Sequence, residues 1–461
     1  MNASPDGSAD ALLLCGGLDL PIAVRDGVPI SRRQYLGDAA ALADRLPAAG
    51  AMLNLSRDRY RFAVGLGAAL LRGHASLLPP NHTPHTVDRL RTRFADAYAL
   101  VEHGDDSVDD DGAHGLPVIA HAASAASPAG IVAAPSVASH LVAAHVLTSG
   151  STGEPVPHAK PWRLLVQSAR SESTRLAVAI GRDTLAGVTL VATVPAQHMY
   201  GFESSVLLAL HGGAVFDAAR PFYPTDIVAA LERASTPRAL VTTPFHLRSL
   251  LESGITLPRI DLVLCATAPL APQLAARAEQ AFGAPLVEIY GCTEAGQVAT
   301  RRTTEGPEWQ TFDGLTLQGD GDATTVSGGH VPQVTPLVDV LEVLGPTRFR
   351  LLGRSNDLVN IAGKRSSIGH LDFHLNAIDG VRDGAFWMPP ERTDGQGIAR
   401  LVAFVVAPGI GREQIRDALR RRVDAAFLPR RIVSVDALPR EATGKLTSAR
   451  LAELAERHDA T

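Results

Sequence analysis

The chain has 461 residues, 46% of them hydrophobic and 20% charged, and its formal net charge is −5 at pH 7. This composition is typical of a globular protein with a sizeable core, and it excludes a disordered or fibrous chain. The length suggests about two to four domains. The small negative charge gives no electrostatic indication of nucleic acid as a partner.

Cysteine usage and hydropathy favour a cytoplasmic protein. Cys15, Cys265 and Cys292 show neither a CxxC motif nor metal-ligand spacing, so we expect reduced thiols rather than a disulfide framework. The longest apolar runs fall well short of the roughly 18 residues that a membrane span needs. Asp6 and Asp10 stand where a signal peptide would carry positive charge. We therefore expect neither secretion nor a membrane span.

The middle of the chain contains two successive regions of different sequence character. Residues 105–139 combine an acidic run with Ala/Ser/Pro/Gly-rich sequence and are predicted to be a solvated connection. After them, short β-branched apolar runs predict buried strands and the segments between predict helices. The strands are Val188–Val194, Ala239–Thr243, Ile260–Ala266 and Leu286–Tyr290, and the helices are Phe245–Leu251 and Pro272–Phe282. This alternation predicts an α/β fold whose mostly parallel sheet is covered by helices.

The C-terminal part has a different pattern. Leu401–Val406 is predicted to be a strand, and Glu413–Phe427 an amphipathic helix, because its apolar residues recur every four positions. Such a single strand–helix unit predicts a small α+β domain of its own. We place the boundary so that residues 1–352 form the large domain and residues 353–461 the small one.

The segment Thr148–Lys160 reads TSGSTGEPVPHAK and follows an apolar run. Its glycines allow the backbone to approach a ligand closely, and successive amides and hydroxyls can surround phosphate oxygens. A Walker A loop is excluded, because GxxxxGK[ST] cannot be aligned here. Taken alone, the segment is better interpreted as a flexible Ser/Gly turn. Its candidate phosphate ligands are Thr148, Ser149, Gly150, Ser151, Thr152 and Gly153.

Three further segments add to this one. Tyr290–Glu294, YGCTE, follows a predicted strand at its carboxyl end, where open α/β sheets bind ligands. Gly353–Asp357, GRSND, runs into Asn360–Arg365, NIAGKR. Pro439–Lys445, PREATGK, lies near the C-terminus. In this order the segments resemble the acyl-adenylate-forming superfamily of acyl-CoA synthetases, adenylation domains and firefly-type luciferases, from about residue 140 to 450.

The resemblance implies a two-step ligase that uses ATP and Mg²⁺. A carboxylic acid and ATP give an acyl-AMP and pyrophosphate, and a phosphopantetheine thiol then displaces AMP. The large domain would be the AMP-binding domain, and the small domain would be mobile and carry the catalytic lysine. A non-catalytic nucleotide-binding protein is the distant alternative.

The resemblance also assigns nucleotide-binding roles. Residues 148–153 would grip the β- and γ-phosphates, with Gly291 in the same site. Tyr290 would stack on adenine, Thr293 would contact the α-phosphate, and Glu294 would be the Mg²⁺ ligand. Ala268 and Pro269 would belong to the adenine wall at Cys265–Pro269.

Asp339 lies fifteen residues before Arg354, the separation at which the family places its ribose-binding acid. An Asp can accept hydrogen bonds from both ribose hydroxyls, with an arginine donating nearby. The family's TGD motif reads Leu337-Val338-Asp339 here, so only the acid is kept. Lys160 stands later than the lysine of the family's TGxPK motif. It is therefore either a displaced phosphate ligand or a surface lysine.

Domain movement is implied by the same resemblance. Lys445 would bridge the attacking carboxylate and the α-phosphate, since a cation between two anions stabilises their joining. The small domain would then rotate about Asn356. After that rotation, the tunnel for the pantetheine arm would be formed by Ala362, Gly363 and Lys364.

The acid pocket is assigned to His198, Tyr200, Gly201 and Ala266, with His198 beside the carboxylate. Details of TSGSTGEPVPH, QHMYGFE and NIAGKRSSIGHL are similar to hydroxybenzoate–acyl carrier protein ligases of aryl-polyene and xanthomonadin pigment pathways. The resemblance implies a small aromatic acid, 3- or 4-hydroxybenzoate, and an acyl carrier protein as acceptor. Free CoA is the alternative acceptor. A basic rim at 420–422 and 430–431 would suit either acceptor, or is a solvated face.

Overall fold

The computed structural model describes residues 10–102, 112–121, 130–149, 155–354, 358–361, 364–389, 401–440 and 446–459. Up to Cys292 the strands are β1 (Ala11–Leu12), β2 (Pro21–Arg25), β3 (Val28–Ser31), β4 (Ala51–Asn54), β5 (Ala75–Leu78), β6 (Tyr98–Val101), β7 (Val118–Ala120), β8 (Ser136–Val137), β9 (Val142–Ser149), β10 (Pro155–Pro161), β11 (Thr189–Ala192), β12 (Val215–Asp217), β13 (Arg238–Thr242), β14 (Leu262–Cys265) and β15 (Leu286–Cys292).

The later strands are β16 (Gly296–Arg301), β17 (Glu308–Thr311), β18 (Leu315–Gln318), β19 (Thr325–Gly328), β20 (Val331–Pro336), β21 (Asp339–Gly345), β22 (Arg348–Arg354), β23 (Leu358–Ile361), β24 (Lys364–Ser367), β25 (Asp383–Trp387), β26 (Val402–Val406) and β27 (Arg431–Ser434). The helices are α1 (Arg32–Ala43), α2 (Arg59–Arg72), α3 (Pro84–Arg93), α4 (Trp162–Ala179), α5 (Met199–Gly201), α6 (Leu208–His211), α7 (Pro224–Arg233), α8 (Pro244–Glu252), α9 (Pro272–Phe282), α10 (Ile368–Asn376), α11 (Arg412–Arg420) and α12 (Ser448–Asp459).

The largest sheet has eleven strands, in the order β21-β22-β17-β16-β15-β14-β13-β11-β12-β2-β3. Its centre, from β15 to β2, is parallel, and strands at both edges are antiparallel. Along β13, Ala239 and Val241 pack into one hydrophobic core, and Leu240 between them packs into another on the opposite face. Because helices cover both faces, these strands are apolar throughout. The prediction of a helix-covered, mostly parallel sheet is confirmed.

A six-stranded sheet lies beside it, in the order β10-β9-β5-β4-β6-β7. β9 runs parallel to β5, and the antiparallel hairpin β9–β10 forms one edge. The predicted phosphate loop connects these two strands. The short strands β7 and β8 fall inside the region predicted to be a solvated connection. β7 extends the six-stranded sheet beside β6. That prediction was therefore wrong for residues 118–120 and 136–137.

Helix boundaries in the large sheet follow their capping residues. α9 has Pro272 in its first turn, where a missing N–H costs nothing, and ends before Gly283, whose φ is 66°. The helix predicted over Glu413–Phe427 is shorter, since α11 ends at Arg420. The side chain of Asp424 accepts a hydrogen bond from the backbone N–H of Ala426 and so begins a separate 3₁₀ turn. The apolar periodicity of the sequence continues across the break between α11 and this turn, so the prediction joined the two into one helix.

The elements after Arg354 form sheets of their own. β23 and β24 are an antiparallel hairpin, and β25, β26 and β27 form a three-stranded sheet. Two hydrophobic clusters lie on this part, one around Leu371 and Leu419 and the other around Phe404 and Leu454. Within the ranges that the structure describes, no helix has both the length and the apolar character for crossing a bilayer.

Candidate active site

Tyr290 and Asp339, assigned to adenine and ribose, are in direct contact. The phenol of Tyr290 donates a hydrogen bond of 2.7 Å to Oδ2 of Asp339. Both residues are buried, with exposed fractions of 7% and 6%. The Tyr290 ring also packs edge-on against Phe349, with centroids 5.4 Å apart, and beside Trp309 at 5.8 Å. A rigid aromatic cluster therefore fixes the orientation of the Asp339 carboxylate.

Asp339 and Arg354 stand opposite each other across the antiparallel pair β21–β22. The spacing of fifteen residues is that of the two arms of this hairpin. β22 also pairs with β17, which continues through β16 to β15 and so to Tyr290. The strand order thus brings the YGCTE segment and the GR segment to one end of the large sheet.

Lys160 lies against the YGCTE segment rather than on the surface. Its ammonium donates a hydrogen bond of 2.8 Å to the main-chain oxygen of Glu294, and its exposed fraction is 8%. On the same face of β10, Nε2 of His158 is 3.8 Å from Oε1 of Glu294. Burial lowers the pKa of Lys160, while the carboxylate of Glu203 acts in the opposite direction. The surface-lysine alternative is therefore excluded.

Lysine is rare in this chain. Its 43 basic Lys and Arg residues include three lysines, Lys160, Lys364 and Lys445, and all three lie in the motif segments. An ammonium is a compact point charge, whereas a guanidinium is a planar fork, so the two are not interchangeable. Among them, the side chain of Lys160 is the one that the structure describes, and its ammonium contacts a single oxygen atom, the main-chain oxygen of Glu294. The rarity of lysine was visible in the sequence.

Glycines at two predicted site positions are required by close backbone contacts. A Cβ at Gly291 would lie 2.4 Å from the main-chain oxygen of Gly296, across the turn that carries Thr293 and Glu294. A Cβ at Gly201 would lie 2.1 Å from the main-chain oxygen of Pro195. Neither distance is tolerable for a side chain.

The predicted adenine wall begins where β14 ends. Thr267 has a φ of 83°, which is uncommon for a residue other than glycine. The flanking Ala266 is buried, Ala268 is half-buried and Pro269 is exposed. Strained backbone of this kind clusters at ligand sites.

Two of the predicted acid-pocket residues, Tyr200 and His198, are positioned by hydrogen bonds. The Tyr200 phenol donates to the main-chain oxygen of Leu264 over 2.9 Å, which brings it to the strand that leads into Ala266. Nδ1 of His198 accepts from the backbone N–H of Tyr200. His198 is exposed to solvent, and desolvation by the surrounding protein atoms lowers the pKa of its imidazole.

Arg59 is a supporting residue that the sequence analysis did not identify. It is fully buried at the start of α2 and donates to the main-chain oxygens of Ala192 and Val194 and to the hydroxyl of Ser205. It therefore fixes both ends of the segment that carries His198 and Tyr200. No signal in the sequence distinguishes Arg59 from Arg61 and Arg72 of the same helix.

Two buried acids beside this segment were also missed. Glu203 lies in the π-helical turn Phe202–Leu207 and Glu172 in the facing helix α4. Burial, reinforced by Glu172, raises the pKa of Glu203 to about 8, and burial raises that of Glu172 to about 7. Ser168 donates to Oε1 of Glu203 over 3.3 Å. Nothing in their sequence spacing indicates that they meet.

Asp383 links the elements after Arg354 to the large sheet. It accepts two hydrogen bonds of 2.8 Å from Arg440 and lies 3.2 Å from Nη1 of Arg248 on α8. The Gln273 side chain on α9 also donates to the main-chain oxygen of Ala377. The start of the PREATGK segment is therefore anchored at this contact.

Several predicted residues lie outside the described residues, namely Gly150, Ser151, Thr152, Gly153, Asn356, Ala362, Gly363 and Lys445. Of four others, only the strand position is described: Thr148 and Ser149 end β9, Arg354 ends β22, and Lys364 begins β24.

Comparison with known proteins identifies the family. A model of the AMP-binding enzyme family matches residues 41–335, more than half of the chain. The chain is 31% identical over 319 residues to a 4-coumarate–CoA ligase of Halorhodospira halophila, which covers 65% of this chain and 73% of that protein.

Solved structures show the same fold. An anthranilate CoA ligase, AuaEII, in complex with anthranoyl-AMP has a TM-score of 0.77 at 14% identity, covering 96% of both chains. ATP-bound MatB from Rhodopseudomonas palustris has a TM-score of 0.75 at 20% identity, covering 95% of this chain and 97% of that one. The chain belongs to the AMP-binding enzyme family and is an ATP-dependent, acyl-adenylate-forming acid–thiol ligase of that family.

Proposed function

We propose that the enzyme activates a small aromatic acid, 3- or 4-hydroxybenzoate, and transfers it to the phosphopantetheine thiol of an acyl carrier protein. The observation that carries the nucleotide half of this proposal is the contact of Tyr290 with Asp339, opposite Arg354. An aromatic acid is supported by the buried Tyr200 in the candidate acid pocket. The names of its relatives, a 4-coumarate and an anthranilate ligase, agree with it.

In the adenylation step, Tyr290 and the wall at Ala268 and Pro269 bind adenine, and Asp339 accepts from the ribose hydroxyls. The loop 148–153 and Thr293 bind the phosphates. Lys160 holds the main chain at Glu294, so that the carboxylate of Glu294 is presented at a fixed position. Preorganised charges of this kind stabilise the charge that develops in the transition state.

Glu294 is the residue that would hold Mg²⁺. Mg²⁺ is commonly bound by one or two carboxylates together with substrate phosphates. In the described part of the chain, no three His, Cys, Asp or Glu side chains form a group that could hold a metal ion. This donor set fits an ion whose coordination the nucleotide completes. When bound, Mg²⁺ neutralises phosphate charge.

We propose that the small domain, residues 353–461, contributes residues first to the adenylation step and then to the thiol-transfer step. Lys445 joins the carboxylate to the α-phosphate, with His198 beside the carboxylate. Rotation about Asn356 then brings Ala362, Gly363 and Lys364 to the entry path of the pantetheine arm. The contact of Asp383 with Arg248 is one that such a rotation would break.

Free CoA is the second candidate acceptor, because several relatives are named CoA ligases. Intact mass spectrometry after incubation with ATP and 3- or 4-hydroxybenzoate separates the two. A mass gain of one acyl group on a phosphopantetheinylated carrier protein, faster than acyl-CoA formation, supports the proposal. Acyl-CoA formation without carrier loading would reject the carrier protein. No thioester with any aromatic acid would reject the substrate class.

A further inference from the structure

The elements after Arg354 meet the helices α8 and α9 of the large sheet across an open cleft of about 300 Å³. Polar contacts cross it, namely Gln273 to the main-chain oxygen of Ala377 and Arg248 to Asp383. None of the hydrophobic clusters formed by the described residues has members on both sides of this interface. An interface of this polar kind permits the two parts to move relative to each other.

Asp383 binds one arginine from each side of the interface. Its two carboxyl oxygens accept hydrogen bonds of 2.8 Å from Arg440, and Nη1 of Arg248 lies 3.2 Å from Oδ1. The Asp383 side chain is only 13% exposed, so an unpaired charge there would be costly. Because Arg440 lies on the same side of the interface as Asp383, this pair survives when Arg248 leaves. The contact with Arg248 can therefore break without leaving a buried charge unpaired.

Arg248 also has a second acid within reach. Glu252 follows it by four positions in α8, so the two side chains are neighbours on one face of the helix. Both residues line the cleft. Glu252 is exposed and forms no salt bridge with any residue that the structure describes, whereas Arg248 is bound to Asp383. Arg248 thus has a partner on its own helix as soon as Asp383 moves away.

We propose that Arg248 is a positioning residue that alternates between Asp383 and Glu252 as the small domain rotates. Its pair with Asp383 favours the adenylating orientation, because Arg440, bound to the same carboxylate, belongs to the segment that ends in Lys445. Its pair with Glu252 favours the thiol-transferring orientation. This inference rests on the domain rotation proposed above.

The test measures the ratio of two rates, pyrophosphate exchange and thiol transfer from supplied acyl-AMP, with an acid and a thiol that the wild type accepts. Arg248→Met keeps the apolar stem but loses both pairs, and it should lower this ratio. Glu252→Gln removes the competing partner and should raise it. Each change should be about threefold, since ion pairs of partly exposed side chains contribute little.

Two further variants distinguish this role from a general loss of structure. The double variant Arg248→Met/Glu252→Gln should have the ratio of Arg248→Met alone, because Glu252 acts only through Arg248. Glu232→Gln changes an exposed glutamate of α7 and should leave the ratio at its wild-type value. High salt should diminish the effect of both single variants, because it screens exposed charges.

The inference is overturned if Arg248→Met and Glu252→Gln change the ratio in the same direction, or if their effects add in the double variant. Reversed signs also overturn it, because the contact with Asp383 would then favour thiol transfer. Glu252→Gln alters an exposed side chain, so its result decides the matter even if Arg248→Met does not fold. Activity with an acid other than a hydroxybenzoate rejects the proposed substrate but leaves this test intact. If no acid supports exchange, the proposed function fails first, and this inference fails with it.

Discussion

The ammonium of Lys160 donates a hydrogen bond of 2.8 Å to the main-chain oxygen of Glu294, although 134 positions separate the two residues. Lys160 lies near the end of the hairpin whose connection is the proposed phosphate loop, and Glu294 belongs to the turn after β15. One buried cation therefore joins the two segments that contact the phosphates in the proposed reaction.

Replacing Lys160 should impair adenylation. We expect Lys160→Met to lower kcat/KM for ATP in pyrophosphate exchange by at least about tenfold, because a charge-assisted bond is lost and Glu203 is left buried beside an apolar group. Lys160→Arg should not restore activity, since a planar guanidinium does not fit a site for one ammonium. The exposed neighbour Arg163 provides the control variant Arg163→Ala. Equal activity of Lys160→Met and that control would contradict the assignment.

Asp339 can be tested through the ribose. Asp339→Ala should raise the KM for ATP by an amount equivalent to about 1.5–3 kcal/mol, the value of a hydrogen bond to a charged group. Tyr290→Phe removes the bond that orients this carboxylate but keeps the ring, so its effect should be smaller. The measurement is the ratio of kcat/KM for ATP and 2′-deoxy-ATP. If the Asp339 variant discriminates between the two nucleotides as wild type does, the ribose assignment is wrong.

Some features of the fold and of this site can be predicted from the sequence, and others cannot. The helix Pro272–Phe282 has the predicted bounds, because its proline start and glycine stop are local signals. The partner of Lys160 could not be predicted, since it depends on how two separate sheets meet. The buried pair Glu172 and Glu203 depends in the same way on the packing of α4 against the π-helical turn. Local patterns thus predict elements, whereas contacts between distant segments need the fold.

The buried acid Glu203 should make stability depend on pH. Burial raises its pKa to about 8, whereas an exposed Glu has a pKa of about 4.3. The folded state then binds the proton more tightly than the unfolded state. This contribution to the free energy of unfolding is present in full below about pH 4.3 and is lost as the pH rises through about 8.

Urea denaturation from about pH 6 to pH 9 measures this effect. The free energy of unfolding of wild type should fall over this range by more than that of Glu203→Gln, in which the group cannot ionise. The exposed Glu232 offers the control Glu232→Gln, which should follow wild type. Parallel curves for wild type and Glu203→Gln would contradict the raised pKa.

Domain rotation can be tested at the proposed hinge. Asn356→Pro fixes φ near about −65° and should trap one orientation of the small domain. We expect pyrophosphate exchange to persist while thioester formation falls by at least about tenfold. A melt close to that of wild type, followed by circular dichroism, excludes misfolding. Thioester formation at the normal rate in a folded Asn356→Pro variant would show that the pivot lies elsewhere.

The most direct measurement of the central claim is acid-dependent ATP–pyrophosphate exchange by wild type and by Lys445→Ala. The account predicts exchange by wild type with a hydroxybenzoate and none by Lys445→Ala, with ATP binding retained, because this lysine acts in the transition state rather than in the ground state. Thiol transfer from supplied acyl-AMP should continue in the variant. The absence of exchange by wild type with every acid tested, or equal exchange by the two proteins, would contradict the account.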